Sequence, residues 1–61
     1  MLTYPTLSAV IIDDERKGRK TLSSYLDFYS DNVKLIGDAD GVISGAKLIN
    51  STKPDLVFLD I

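Results

Sequence analysis

Three short runs rich in apolar residues, each too short to make a helix, constrain this chain more than anything else in it. Ala9-Val10-Ile11-Ile12 leads into Asp13 and Asp14, Val33-Lys34-Leu35-Ile36 ends at Gly37, and Leu56-Val57-Phe58-Leu59 ends at Asp60. An unbroken β-branched run such as Val10–Ile12 fits a strand covered on both faces, as in a parallel sheet. Parallel neighbours cannot be joined by a tight turn. They need a crossover of a dozen or so residues, usually a helix, and that crossover is right-handed. The segments between the runs therefore have to be helices.

Their periodicity agrees. Leu22, Tyr25, Leu26 and Tyr29 recur at spacings of three and four, which is one face of a helix over about 15–29. Gly18 lies on that face one turn earlier, where a missing side chain lets a helix approach a sheet closely. Asp14 is the candidate N-cap. The reciprocal capping box is absent, because Lys17 stands three residues on. Ser30-Asp31-Asn32 marks a turn. A second helix is predicted over about 42–52, with Val42, Gly45, Ala46 and Ile49 inward and Lys53-Pro54 as its stop. The strands are predicted at about 8–13, 33–37 and 56–60, giving the order β-α-β-α-β. Residues 1–6 hold Pro5 and no clear period, and read as a flexible N-terminal arm. Gly37, Gly41 and Gly45 repeat at spacing four, but the repeat crosses a loop and reads as coincidence.

Several function classes drop out. With no cysteine and no histidine, the chain has no disulfide and lacks the commonest zinc ligands. The formal net charge is −2 with no basic stripe, so the chain has no strong nucleic-acid footprint of its own. Arg16, Lys17, Arg19 and Lys20 form a local basic run. On a helix it spreads around the circumference and reads as solvated surface, with a recognition patch as the rival. No stretch reaches the roughly 18 apolar residues of a membrane helix. The start MLTYPTLS lacks the basic n-region and apolar core of a signal peptide, so a cytoplasmic protein is expected. No G-x-G-x-x-G follows the first run and no G-K-[ST] occurs, which argues against a nucleotide-binding loop. At 61 residues the core is marginal without a staple.

The acids carry the chemistry. Sites in open parallel sheets form beyond the carboxyl ends of the strands. Asp13 and Asp60 both end strands, and Asp14 stands beside Asp13. If the first and third strands are neighbours, three carboxylates share one edge. Oxygen donors without histidine or cysteine suit a hard cation, and magnesium is the natural candidate. A helix cap and a solvated turn are the competing account of the same residues.

The stretches AVIIDDE, VKLIGDAD and LINSTKPDLVFLDI, with an amphipathic helix after the first, resemble the first half of a bacterial response-regulator receiver domain over residues 7–61. KPDLVFLDI is most similar to receivers that carry a LytTR-type DNA-binding output domain. The resemblance implies a truncated flavodoxin-like receiver fold, β-α-β-α-β with parallel strands in the order 2-1-3. Asp60 matches the phosphoacceptor, which takes a phosphoryl group from a sensor histidine kinase. Asp13 and Asp14 match the acidic pair that holds Mg2+, with Asp60 and the backbone carbonyl of Ile61 as further ligands. The protein implied is a signalling module of two-component transcription regulation and not an enzyme, reaching DNA through an output domain. Family members continue with a Met-Pro loop, a strand ending in Ser or Thr and a strand ending in Lys, whose hydroxyl and ammonium grip the phosphoryl oxygens. The 61 residues thus correspond to the phosphoacceptor half, which is expected to be signalling-incompetent by itself. Gly45 and Ala46 depart from the family, which tends to place bulkier or better helix formers there.

Two other readings compete. In the first, the chain is a self-assembling half-domain with no ligand. Strand 56–59 would lie at a sheet edge with no charge or proline inside it, which invites a second copy, so a homo-dimer or larger species is expected. In the second, LVFLDI is the nucleophile strand of a haloacid-dehalogenase-type phosphatase. Those enzymes usually place the nucleophile on their first strand, and Asp13-Asp14-Glu15 would then have no role.

Overall fold

A computed structural model describes residues 5–60 of the 61-residue chain. The elements run β1 (Leu7–Asp13), α1 (Arg16–Tyr29), β2 (Val33–Ala39), α2 (Val42–Thr52) and β3 (Leu56–Asp60). The strands form one parallel sheet in the order β2-β1-β3. This is the 2-1-3 order of a flavodoxin-like receiver fold.

β1 is the core. Ala9, Val10, Ile11 and Ile12 are buried, joined among the described apolar residues only by Ala39 of β2. Covering a valine or isoleucine fully is worth about 1.5–3 kcal/mol, and Val10 and Ile11 are the largest side chains so covered. The helices lie on opposite faces. Gly18 of α1 sits against the Asp13 carboxylate, whereas Gly45 of α2 sits against Ile12. Asp13 and Ile12 are successive strand residues, so their side chains point to opposite sides.

The N-terminal ends of β1 and β3 are clasped together. The Ser8 amide and hydroxyl donate to Asp55 Oδ2 at 2.8 and 3.1 Å, and the Asp55 amide donates to the Ser8 carbonyl at 3.0 Å. From there Ala9 pairs with Leu56, and the ladder runs without a slip to Asp13 and Asp60.

Three local expectations change. β2 continues through Gly37 to Ala39, because Gly37, Asp38 and Ala39 still pair with Val10, Ile11 and Ile12. Gly37 marks a close approach rather than a strand end: a Cβ there would lie 2.9 Å from Leu48 Cδ1. The glycine repeat is therefore partly a packing feature, since Gly37 and Gly45 both admit α2, while Gly41 meets nothing within 4 Å. Second, the cap of α1 is Glu15, not Asp14, and its side chain makes no cap hydrogen bond. Third, both helices are rotated from the faces read off their periods. On α1, Leu22 and Leu26 are half-buried, while Tyr25 and Tyr29 are 58% and 72% exposed and stack on each other. On α2, Val42 and Ala46 are exposed, and Gly45, Leu48 and Ile49 turn inward. In each case a glycine is the contact point, and the side chains one turn from it set the rotation.

α2 ends where Lys53 enters the left-handed region, φ 47° and ψ 62°, with its amide donating to the Ile49 carbonyl at 2.8 Å. Among the described residues, no helix is long and apolar enough to cross a membrane.

Candidate functional site

The site lies at the carboxyl edge of the sheet. Asp13 and Asp60 are register partners, the last pair of the β1–β3 ladder. Adjacent strands run about 4.8 Å apart, so the two residues are direct neighbours with side chains on the α1 face. Their environments differ. Asp13 is 8% exposed, whereas Asp60 is open to solvent. Asp14 is also exposed.

Asp13 is held in place. Its Oδ1 accepts the Glu15 amide at 2.9 Å, a local turn of the kind aspartate favours at the start of a helix. Its Oδ2 lies over Gly18, in the space a side chain there would fill. The backbone carbonyl of Asp13 accepts Arg19 Nη1 at 2.7 Å. The same guanidinium donates through Nε to Asp38 Oδ2 at 3.0 Å. Arg19 thus ties the carboxyl ends of β1 and β2 together. Beside Asp13 and Asp60 runs an open groove of about 510 Å³ between α1 and β3, with Lys17, Thr21, Leu22 and Phe58 in its walls.

The sheet therefore brings Asp13 and Asp60 together. Asp14 is exposed to solvent, and Ile61 lies outside the described residues. Among the described residues, no group of three or more His, Cys, Asp or Glu side chains gathers closely enough to hold a metal ion. Magnesium does not require three. It keeps several waters and takes one or two carboxylates, so the all-oxygen pair Asp13 and Asp60 fits it.

Arg19 and Asp38 escaped the sequence reading. Arg19 belonged to a basic run read as solvated, yet its side chain is only 17% exposed. The signal was present: Arg19 stands three residues before Leu22 and seven before Leu26, on the half-buried stripe. Asp38 was hidden because β2 seemed to stop at Gly37.

Comparison with known proteins finds similar regulatory proteins. The chain is 49% identical over 55 residues to an uncharacterized response regulatory protein of Vibrio parahaemolyticus, matching 90% of this chain and 22% of that protein. It is 40% identical over 55 residues to the sensory transduction protein LytT of Bacillus anthracis, again 90% of this chain and 22% of the relative. The transcriptional regulatory protein BtsR of Escherichia coli is 31% identical over 55 residues, 90% of this chain and 23% of that protein. The chain thus spans under a quarter of the length of these relatives. No protein-family model matches the chain. No solved structure matches it.

Proposed function

We propose that this chain is the phosphoacceptor half of a response-regulator receiver domain. One observation carries the reading: Asp60, exposed at the tip of β3, stands in register beside the seated Asp13 at the tip of β1. A nucleophilic carboxylate next to a second carboxylate at this edge suits aspartyl-phosphate chemistry. A carboxylate oxygen of Asp60 attacks the phosphorus of a phosphohistidine on a sensor histidine kinase. The P–N bond breaks, the electron pair stays on the imidazole, which picks up a proton, and Asp60 holds an acyl phosphate. Asp13 and Asp60, with Asp14 and the Ile61 carbonyl, are the residues assigned to Mg2+. Bound there, the ion would neutralise the phosphoryl oxygens and orient them for in-line transfer.

The names of the relatives, a response regulatory, a sensory transduction and a transcriptional regulatory protein, support a regulatory setting. A cytoplasmic protein that reaches DNA through an output domain is part of the proposal. The chain contributes an acceptor rather than a catalytic turnover. Phosphotransfer to the full-length protein that carries this segment, as wild type and as Asp60→Asn, tests the assignment. Hydroxylamine-labile label is expected on the first and absent from the second, and full labelling of Asp60→Asn removes Asp60 from the role.

A second reading concerns assembly. Val57 and Leu59 of β3 are 42% and 67% exposed, and β3 pairs only with β1 among the described residues. An apolar strand with one open edge is a template for another strand. The chain is proposed to self-associate there.

A further inference from the structure

We propose that Arg19 is the positioning residue of the acidic edge, acting through its guanidinium bridge from Asp38 to the backbone carbonyl of Asp13. The inference rests on the metal-and-acceptor reading of Asp13 and Asp60 and extends it to a residue that touches neither metal nor phosphoryl group. Three features place Arg19 in this role. Its two bonds come from one planar fork, Nε to Asp38 Oδ2 at 3.0 Å and Nη1 to Asp13 O at 2.7 Å. Its side chain is 17% exposed, so the fork is held against the sheet and not free in solvent. It reaches the residue whose carboxylate is already fixed by the Glu15 amide and by the open space over Gly18.

The arrangement acts on geometry and opposes the charge effect. Asp13 is the last residue of β1, and among the described residues it pairs with Asp60 of β3 but with no residue of β2. A charge-assisted bond to its carbonyl fixes the peptide and thereby the direction of its side chain. Asp38 fixes the arginine in turn, from the adjacent strand end. The positive charge itself works against a cation at Asp13, and Asp38 offsets it. Removing Arg19 therefore has two effects of opposite sign on Mg2+ binding. Lost positive charge tightens it, and lost positioning loosens it. Residues that orient a metal ligand from behind typically control about 10- to 100-fold of affinity.

The test uses the 61-residue chain as wild type, Arg19→Gln, Arg19→Lys and Asp38→Asn. The first measurement is metal-free: hydrogen-exchange protection of the Glu15 amide, which reports whether Asp13 Oδ1 still holds it. The second is Mg2+ affinity from amide shifts at Asp13 and Glu15. Arg19→Gln is expected to lose Glu15 protection and to bind Mg2+ about tenfold more weakly. Arg19→Lys keeps the charge but not the fork, and is expected not to rescue either readout. Asp38→Asn, which leaves Arg19 in place, is expected to fall between and serves where Arg19→Gln fails to fold. Unchanged Glu15 protection in Arg19→Gln, or in Asp38→Asn where that variant stands in, overturns the proposal, as does Mg2+ binding equal to or tighter than wild type in Arg19→Lys, which keeps the charge. Loss of Glu15 protection in a protein whose wild type binds no Mg2+ leaves the positioning role standing and refutes the metal reading instead.

Discussion

Asp13 shows how one side chain is fixed by what its neighbours lack. Its Oδ2 occupies the place of a Gly18 side chain, and a Cβ there would also lie 3.2 Å from Asp13 Cγ. Gly18 stands in the first turn of α1, where alanine would ordinarily gain about 1 kcal/mol of helix propensity. Here the gain is opposed, because the carboxylate has to turn away and release the Glu15 amide. Losing that charge-assisted bond costs about 1.5–3 kcal/mol, which outweighs the propensity. Gly18→Ala is expected to lower the urea midpoint and to weaken Mg2+ binding together. A raised midpoint with an unchanged Glu15 amide shift would show that the carboxylate is not confined by Gly18.

The elements are joined by close contact at glycines. A Cβ on Gly45 would lie 2.7 Å from Ile12 Cδ1 and 3.1 Å from Ile12 Cγ2. Ile12 is 3% exposed in the central strand and has little room to give. Alanine at 45 would improve the α2 propensity by about 1 kcal/mol. Overpacking a filled contact costs about 1–3 kcal/mol, so the packing term decides the sign. Gly45→Ala is expected to destabilise the chain by about 1 kcal/mol in urea unfolding. Stabilisation by the full propensity increment would mean that α2 stands further from β1 than described. At the other end of the sheet, the Ser8–Asp55 clasp sets the β1–β3 register. That register is what delivers Asp60 to Asp13, five pairs along the ladder.

The whole molecule leaves much apolar surface uncovered. Its accessible surface is 4792 Å². A compact monomer of 6.7 kDa would expose about 3,900 Å². Phe28, Ile43, Val42 and Leu59 are each more than 60% exposed. At about 25 cal/mol per Å², covering a few hundred Å² of apolar surface is comparable to a small domain's entire stability. Pairing of β3 with a second copy would supply backbone partners and some of that cover. Sedimentation of the chain at micromolar concentration is expected to report a dimer or larger species. A monomer with exchange-protected amides along Val57–Leu59 would rule out association through β3.

By itself the sequence determined the local alphabet of this protein. The β-branched run of β1 and the three-and-four spacing of α1 are short-range patterns, and each restricts the backbone where it stands. So do the turn at Ser30–Asn32 and the stop at Lys53-Pro54. Two acids at strand tips, separated by two helices and a strand, were legible for the same reason. Tertiary structure decided the rest. A helix with a broad apolar stripe can rotate about its axis without changing its period, and Gly18 and Gly45 chose the rotation by admitting the sheet at those points. That rotation sent Tyr25, Tyr29, Val42 and Ala46 outward and brought Arg19 against the strands. Whether a guanidinium spans two strand ends depends on the separation of those ends, which no local pattern carries. The pairing of Asp13 with Asp60 likewise required β3 to lie beside β1 in one register, a contact between residues far apart in the chain.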